Sequence, residues 1–344
     1  MKVKSLLVAG TIVAGLGVSV FSLPTYAAGT AINTGNIATY NTGADTYTLP
    51  AGEYELGSNL DLGTGVINIE GAVTLNFGNY KITAANIAVP AGASLTLSGD
   101  GGVVGSVTSN GTLTINGGVY DTTSGWGAPL NVNAGTLTVS GGRFKAGGAS
   151  AAYIMGDANA TITGGDFASN GDNGIEADGN AKMNISGGTF TGAVAGITMP
   201  SSVTLTLSGG TFNYTDTVNG NGALAILNGE VGAFTGFLAS GYEYSDATAS
   251  TKDWYGMTIA RLSGSSVTVR SKTATTTTTT TEEKSAENTE KVIAKATSTG
   301  STKKATTKVK APNTGAIDGA VAAEGLTVLT MATLSGLVFL KKKF

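Results

Sequence analysis

The sequence predicts an all-β chain wound as a parallel β-helix, and three observations point to that fold. First, one short phrase recurs five times, as TLTINGGVY, TLTVSGGRF, ATITGGDF, MNISGGTF and TLTLSGGTF. Its Gly-Gly pairs begin at Gly117, Gly141, Gly164, Gly187 and Gly209, so the steps are 24, 23, 23 and 22 residues. A fixed period of that size marks a stacked array, because one unit cannot bury its apolar face without a neighbour. Second, positions four and two before each pair are apolar: Leu113 and Ile115, Leu137 and Val139, Ala160 and Ile162, Met183 and Ile185, Leu205 and Leu207. Thr, Asn or Ser separates them, and this period-2 alternation is that of a short strand with one buried face. Third, an aromatic stands three residues after each origin, at Tyr120, Phe144, Phe167, Phe190 and Phe212.

The register extends backwards through Gly99 and Phe77, the latter with Tyr80 as its aromatic, with one short step of 18 residues between Gly99 and Gly117. Equivalent residues of neighbouring coils lie about 4.8 Å apart. The rings, Tyr80 included, are therefore expected to form an internal column, and the glycines to turn the chain onto the next face. An outer aromatic row stacking on sugars is the alternative.

The remaining elements follow in chain order. Lys2 and Lys4 precede an apolar run, Leu6 to Phe21, that ends before Pro24 and Thr25-Tyr26-Ala27. That is the layout of a secretory signal over residues 1–27, cut between Ala27 and Ala28 by signal peptidase; an uncleaved anchor is the alternative. Residues 28–270 form the solenoid body. Its ends expose strand edges that need covers: Tyr47 to Leu56 suits the front and Phe234 to Arg270 the rear. Residues 271–310 hold almost no large apolar side chain and read as a disordered Thr/Lys-rich spacer.

Composition narrows the chemistry. There is no His and no Cys, which removes the usual general base, thiol nucleophiles, disulfides and the commonest metal ligands. From Ala28 to Arg270 there are 17 acidic and 7 basic residues, a net charge of −10. Such a body repels nucleic acid and other polyanions.

The densest polar run is Asn170 to Asn180, which together with Asp157 and Asp166 brings carboxylates onto neighbouring coils. Asp166, Asp172, Glu176 and Asp178 are candidates for acid/base glycoside cleavage, which needs two carboxyls about 5–10 Å apart. Asp172, Glu176 and Asp178 are also candidates for calcium, which takes six to eight oxygens. The third reading is that Asp, Asn and Gly simply make tight corners.

Two resemblances complete the reading. Ser186-Gly187-Gly188-Thr189-Phe190 and Ser208-Gly209-Gly210-Thr211-Phe212, with GFLASGYEYSD from Gly236 and DWYGMTI after it, resemble the pectin-lyase-like right-handed β-helices and the GGTF repeats of exported Gram-positive surface proteins. The likeness implies a right-handed coil. The polysaccharide lyases of that fold act on uronic acids through basic residues, of which this body has few.

Residues 311–344 hold Ala311-Pro312-Asn313-Thr314-Gly315, an uncharged stretch from Gly325 to Leu340 and the tail Lys341-Lys342-Lys343-Phe344. Their order resembles a sortase cell-wall sorting signal of the LPxTG type, with Ala311 in place of the usual Leu. The resemblance implies cleavage after Thr314, transfer to peptidoglycan, and a C-terminal hydrophobic helix transiently in the membrane. The 16 uncharged residues span about 24 Å as a helix, so their neighbours must help cross a core of about 30 Å. Taken together, these features predict a non-enzymatic, wall-anchored surface protein with a structural or adhesive role, with carbohydrate or a host surface as partner and without nucleic acid or a required cofactor. A wall-attached glycosidase or lyase using the carboxylates around 166–178 is the second reading.

Overall fold

The computed structural model describes residues 29–273. The signal segment with Ala27 and Ala28, the spacer from residue 274 and the sorting segment with Ala311, Pro312, Asn313, Thr314 and Gly315 lie outside the described residues.

The described residues form a parallel β-solenoid whose coils each present three faces. Nine parallel strands, from Thr30–Ile32 to Thr204–Leu207, make the first face in an unbroken ladder. Arg143–Ala146, Asp166–Ser169 and Thr189–Gly192 belong to the second. Leu130–Val132, Ala152–Ile154 and Ile175–Ala177 belong to the third. All ten apolar positions of the repeated phrase are buried. The four strands from Thr112–Ile115 to Lys182–Ile185 have neighbours above and below, so their backbone donors and acceptors are satisfied by the stacking itself.

The coil between Gly99 and Gly117 is short because Gly102–Ser109 runs through two faces without a corner loop. Its first residues pair with Val119–Thr122 and its last with Leu130–Val132. The turn between faces is reduced to a register irregularity between Val104 and Ser106.

The glycine pairs have two separate jobs. The second of each pair has positive φ, from 93° at Gly118 to 102° at Gly142, a conformation that disfavours any Cβ. The first would press a Cβ against the previous coil: 2.3 Å from the Thr163 carbonyl oxygen at Gly187 and 2.0 Å from that of Ser186 at Gly209. One glycine turns the corner and the other lets the coils close on one another.

Tyr120, Phe144, Phe167, Phe190 and Phe212 stack face to face inside the solenoid, with centroids 4.4–5.2 Å apart and planes within 14°. All five are fully buried. The Tyr120 hydroxyl donates to the Gly117 carbonyl at 3.0 Å, and burial pushes its pKa far above the ordinary phenol value.

The structure corrects the sequence reading at Tyr80, which is 40% exposed. Strand register places Ile82 and Val103 at the level of Tyr120. The corner after Phe77 is two residues longer than in the Gly-Gly coils, which carries Tyr80 out of the core. Phe77 enters from the corner instead and meets Tyr120 edge-on at 6.2 Å.

A second correction concerns the front end. Thr46–Leu49 and Gly52–Leu56 are not a cover; they are regular coil strands paired in parallel with the next coil. Thr30–Ile32 pairs before them, and the 3-10 turn Ile37–Tyr40 buries Ile37 ahead of the hairpin between Asn41–Gly43 and Thr46–Leu49. Pro50 and Gly52 look like turn residues, yet they only mark the corner between two faces.

At the rear, three different segments meet the three faces. Leu238 bridges to Leu207 on the first, Val267–Ser271 runs antiparallel to Thr211–Tyr214 on the second, and Met257–Ser263 runs antiparallel to Gly222–Leu227 on the third. Phe234, in the short helix Ala233–Gly236, is buried, and its carbonyl accepts from the Tyr244 hydroxyl at 2.9 Å. The last strand includes Ser271, and the Lys272 amide donates to Gly241, so the boundary with the spacer falls slightly later than 270.

Phe167→Ala is expected to lower stability by about 3–5 kcal/mol, the usual effect of emptying a buried aromatic site. Tyr80→Ala should change it by less than about 0.5 kcal/mol. Urea-denaturation midpoints of the two variants check this; equal shifts would contradict the arrangement of rings.

Candidate functional site

The polar run 170–180 straddles the second and third faces because its coil turns there with Asn, Gly and Asp. Asp166 begins the strand Asp166–Ser169, and Glu176 is the outward residue of Ile175–Ala177. Between them the corner holds Asp172 and Asn173.

The four candidate carboxylates divide into two kinds. Asp172 and Glu176 converge on Ser150 of the previous coil, whose hydroxyl lies 2.9 Å from Asp172 Oδ2 and 3.2 Å from Glu176 Oε2. Asp166 instead faces Arg143, its register neighbour, at 3.7 Å, with both side chains well exposed. A pair of that kind contributes little stability. Asp178 accepts from the Gly179 amide at 2.6 Å, and Asp157 from the Asn180 amide group at 3.2 Å. These two are turn-forming residues on the opposite side of the strand Ile175–Ala177.

The pair is built into a buried network. Asn173, 4% exposed, donates from Nδ2 to Asp172 Oδ1 at 2.8 Å and to Ser150 Oγ at 3.3 Å, and its Oδ1 accepts from Thr198 at 2.7 Å. Ser169 Oγ donates to the Ala149 carbonyl and accepts from the Asp172 amide. Three coils are tied together by these bonds.

A single hydroxyl has one proton to give. Ser150 can donate to one carboxylate at a time, and a second ionised carboxylate at the same oxygen would find no donor there. Burial raises the pKa of Asp172. Burial first and the Asp172 charge second raise that of Glu176, against the Ser150 hydrogen bond, which lowers both. The protonated form of one partner completes the network by donating to Ser150 Oγ, so the two titrate as a coupled pair.

Sequence reasoning missed Ser150, Tyr153, Thr198 and Trp126. Ser150 stands 23 residues before Asn173, one coil period, and counting back by that period finds it. Tyr153, Glu176 and Thr198 occupy one outward ladder of the third face. Burial, then the charges of Glu176 and Asp172, raise the pKa of the half-buried Tyr153 phenol. Trp126 lies in the corner loop of the coil two before Asp172 and is 77% exposed.

Among the described residues, no group of three or more His, Cys, Asp or Glu side chains gathers at one point. The calcium set of Asp172, Glu176 and Asp178 is brought together only in its first two members, and these are already engaged with Ser150 and Asn173. A depression of about 300 Å³ on the third face, lined by Asn68, Ala88, Val89, Pro90, Thr108 and Asn110, lies coils away from the carboxylates. Compared with protein-family models, curated proteins and solved structures, the chain matches none.

The folded state holds the protons of Asp172 and Glu176 more tightly than the unfolded chain does. The stability this lends is fully present below the ordinary carboxylate range near about pH 4 and is lost as pH rises through the raised folded values. Glu176→Gln removes the like charge. The variant is expected to melt higher than the wild type at neutral pH, with the gain shrinking as pH falls through that window. Thermal midpoints across the range check this, and a gain independent of pH would contradict it.

Proposed function

We propose that the chain is an exported, wall-anchored surface protein that displays an acidic, non-enzymatic β-helix in a structural or adhesive role. The observation that carries this reading is the filled interior. From Phe77 to Phe212 the solenoid is packed with aliphatic and aromatic side chains, and its densest group of converging carboxyls is tied up in a network that joins coils. We take the coil to be right-handed, the sense that parallel crossover connections adopt in nearly all sheets.

The order of features at the two ends supports export and attachment: a signal at residues 1–27, a Thr-rich stalk, then the pentapeptide at 311–315, the apolar stretch and the lysine tail. In this reading a sortase attacks the Thr314 carbonyl and releases Gly315 onwards, and the new amide joins Thr314 to a peptidoglycan amine. The lysines hold the tail at the inner membrane face during transfer. A body with net charge −10 is repelled by an anionic wall polymer, and the spacer between them carries 8 basic against 4 acidic residues.

A polysaccharide-cleaving reading rests on one specific observation, the convergence of Asp172 and Glu176. Both carboxyls are held on the same Ser150 hydroxyl, and Asp172 also by Asn173, which favours binding or structure over acid/base cleavage.

Mass spectrometry of wall fragments released by peptidoglycan hydrolases is expected to show a peptide ending at Thr314 joined to cross-bridge material. Thr314→Ala should move the protein from the wall fraction to the membrane and medium. Recovery of intact chain through Phe344 from washed walls would overturn the anchoring.

A further inference from the structure

The corner between the second and third faces carries an exposed aromatic ring whose placement the packing of the solenoid does not require. Trp126 lies against Gly148 of the next coil, where a Cβ would come within 2.6 Å of Cε3 and 2.9 Å of Cζ3. Gly171, one coil further on, sits in turn over Gly148, with a Cβ position 3.0 Å from the Gly148 Cα. Successive glycines therefore clear a smooth backbone shelf. The indole rests on one end of that shelf with most of its surface in water.

Ser150 and the half-buried Tyr153 lie on the same coil as Gly148, and Asp172 and Glu176, one coil or about 5 Å further on, converge on Ser150. The shelf thus combines a flat apolar platform with closely spaced hydrogen-bond acceptors and a phenol. The C–H face of a pyranose ring packs on such a platform while its hydroxyls donate to the carboxylates. The acidic surroundings repel uronic acids and sulfated sugars.

We propose that this shelf, formed by Trp126, Gly148, Tyr153, Asp172 and Glu176, is a binding site for uncharged oligosaccharides. The inference rests on the adhesive reading above and names its ligand class. It is independent of how the chain is attached to the wall, so a failed anchoring experiment leaves it standing and the reverse holds too.

The protein has two tryptophans, Trp126 and Trp254, so in the full chain carrying Trp254→Phe the indole fluorescence reports Trp126 alone. Titration with cellohexaose, with N-acetylchitohexaose and with hexagalacturonate tests the site. A saturable change with at least one of the neutral hexasaccharides and none with hexagalacturonate is the expected result. Gly148→Ala, which displaces the ring, and Glu176→Gln are each expected to weaken that binding about tenfold or more. Isothermal titration of Trp126→Ala should show the same loss, while its far-UV spectrum and melting stay those of the wild type. No response to either neutral sugar, equal response to the galacturonate, or unchanged affinity in Trp126→Ala would overturn the proposal. Release of new reducing ends that Glu176→Gln abolishes would keep the site and replace the non-enzymatic reading.

Discussion

Coil stacking at one strand spacing governs the rest of this molecule. Every residue lies about 4.8 Å above its equivalent in the preceding coil, so a side chain that suits one level must suit its neighbours at the same position. Aromatic rings satisfy that demand by stacking flat, and five do so without a break from Tyr120 to Phe212. The same spacing excludes a Cβ wherever a corner presses on the carbonyl below, which is the position of Gly164, Gly187 and Gly209. Core composition and glycine content are thus two consequences of one distance.

The same constraint explains what was legible in the sequence. Where each coil repeats the previous one, period and alternation specify the strands, and Leu113 through Leu207 lie buried at the positions the phrase assigns. Legibility fails where a corner changes length. Tyr80 keeps the motif spacing from Phe77, but the longer corner shifts the strand so that Ile82 takes the inner position. Tyr47 to Leu56 lacks the Gly-Gly phrase and still forms two regular strands, because the ladder needs backbone pairing and alternating burial more than it needs that motif. Loss of the phrase is a weaker signal than loss of alternation.

The candidate site was legible only in part, for a related reason. Carboxylates crowded in the sequence at 166–178 are spread by the coil over two faces and two corners, so proximity along the chain says little about proximity in space. The partners that matter come from adjacent coils: Ser150, of the coil before, joins Asp172 to Glu176, and Gly148, of the coil after, supports Trp126. Reading down a column, at intervals of one coil, identifies such groups where reading along a run does not. It also separates structural from functional polarity. Asn173 and Thr198 are consumed in tying coils together, whereas the exposed face of Trp126 has no comparable role in the solenoid.

The internal ring column is the most direct point at which to test this account. In a nuclear Overhauser experiment with selectively labelled Phe and Tyr, the rings of Phe144, Phe167 and Phe190 are expected to show contacts in sequence, with Tyr120 joining Phe144. Tyr80 should show none to any of them. Contacts from Tyr80 into the column, or none between Phe144 and Phe167, would contradict the stacking on which the fold and its surface corner both depend.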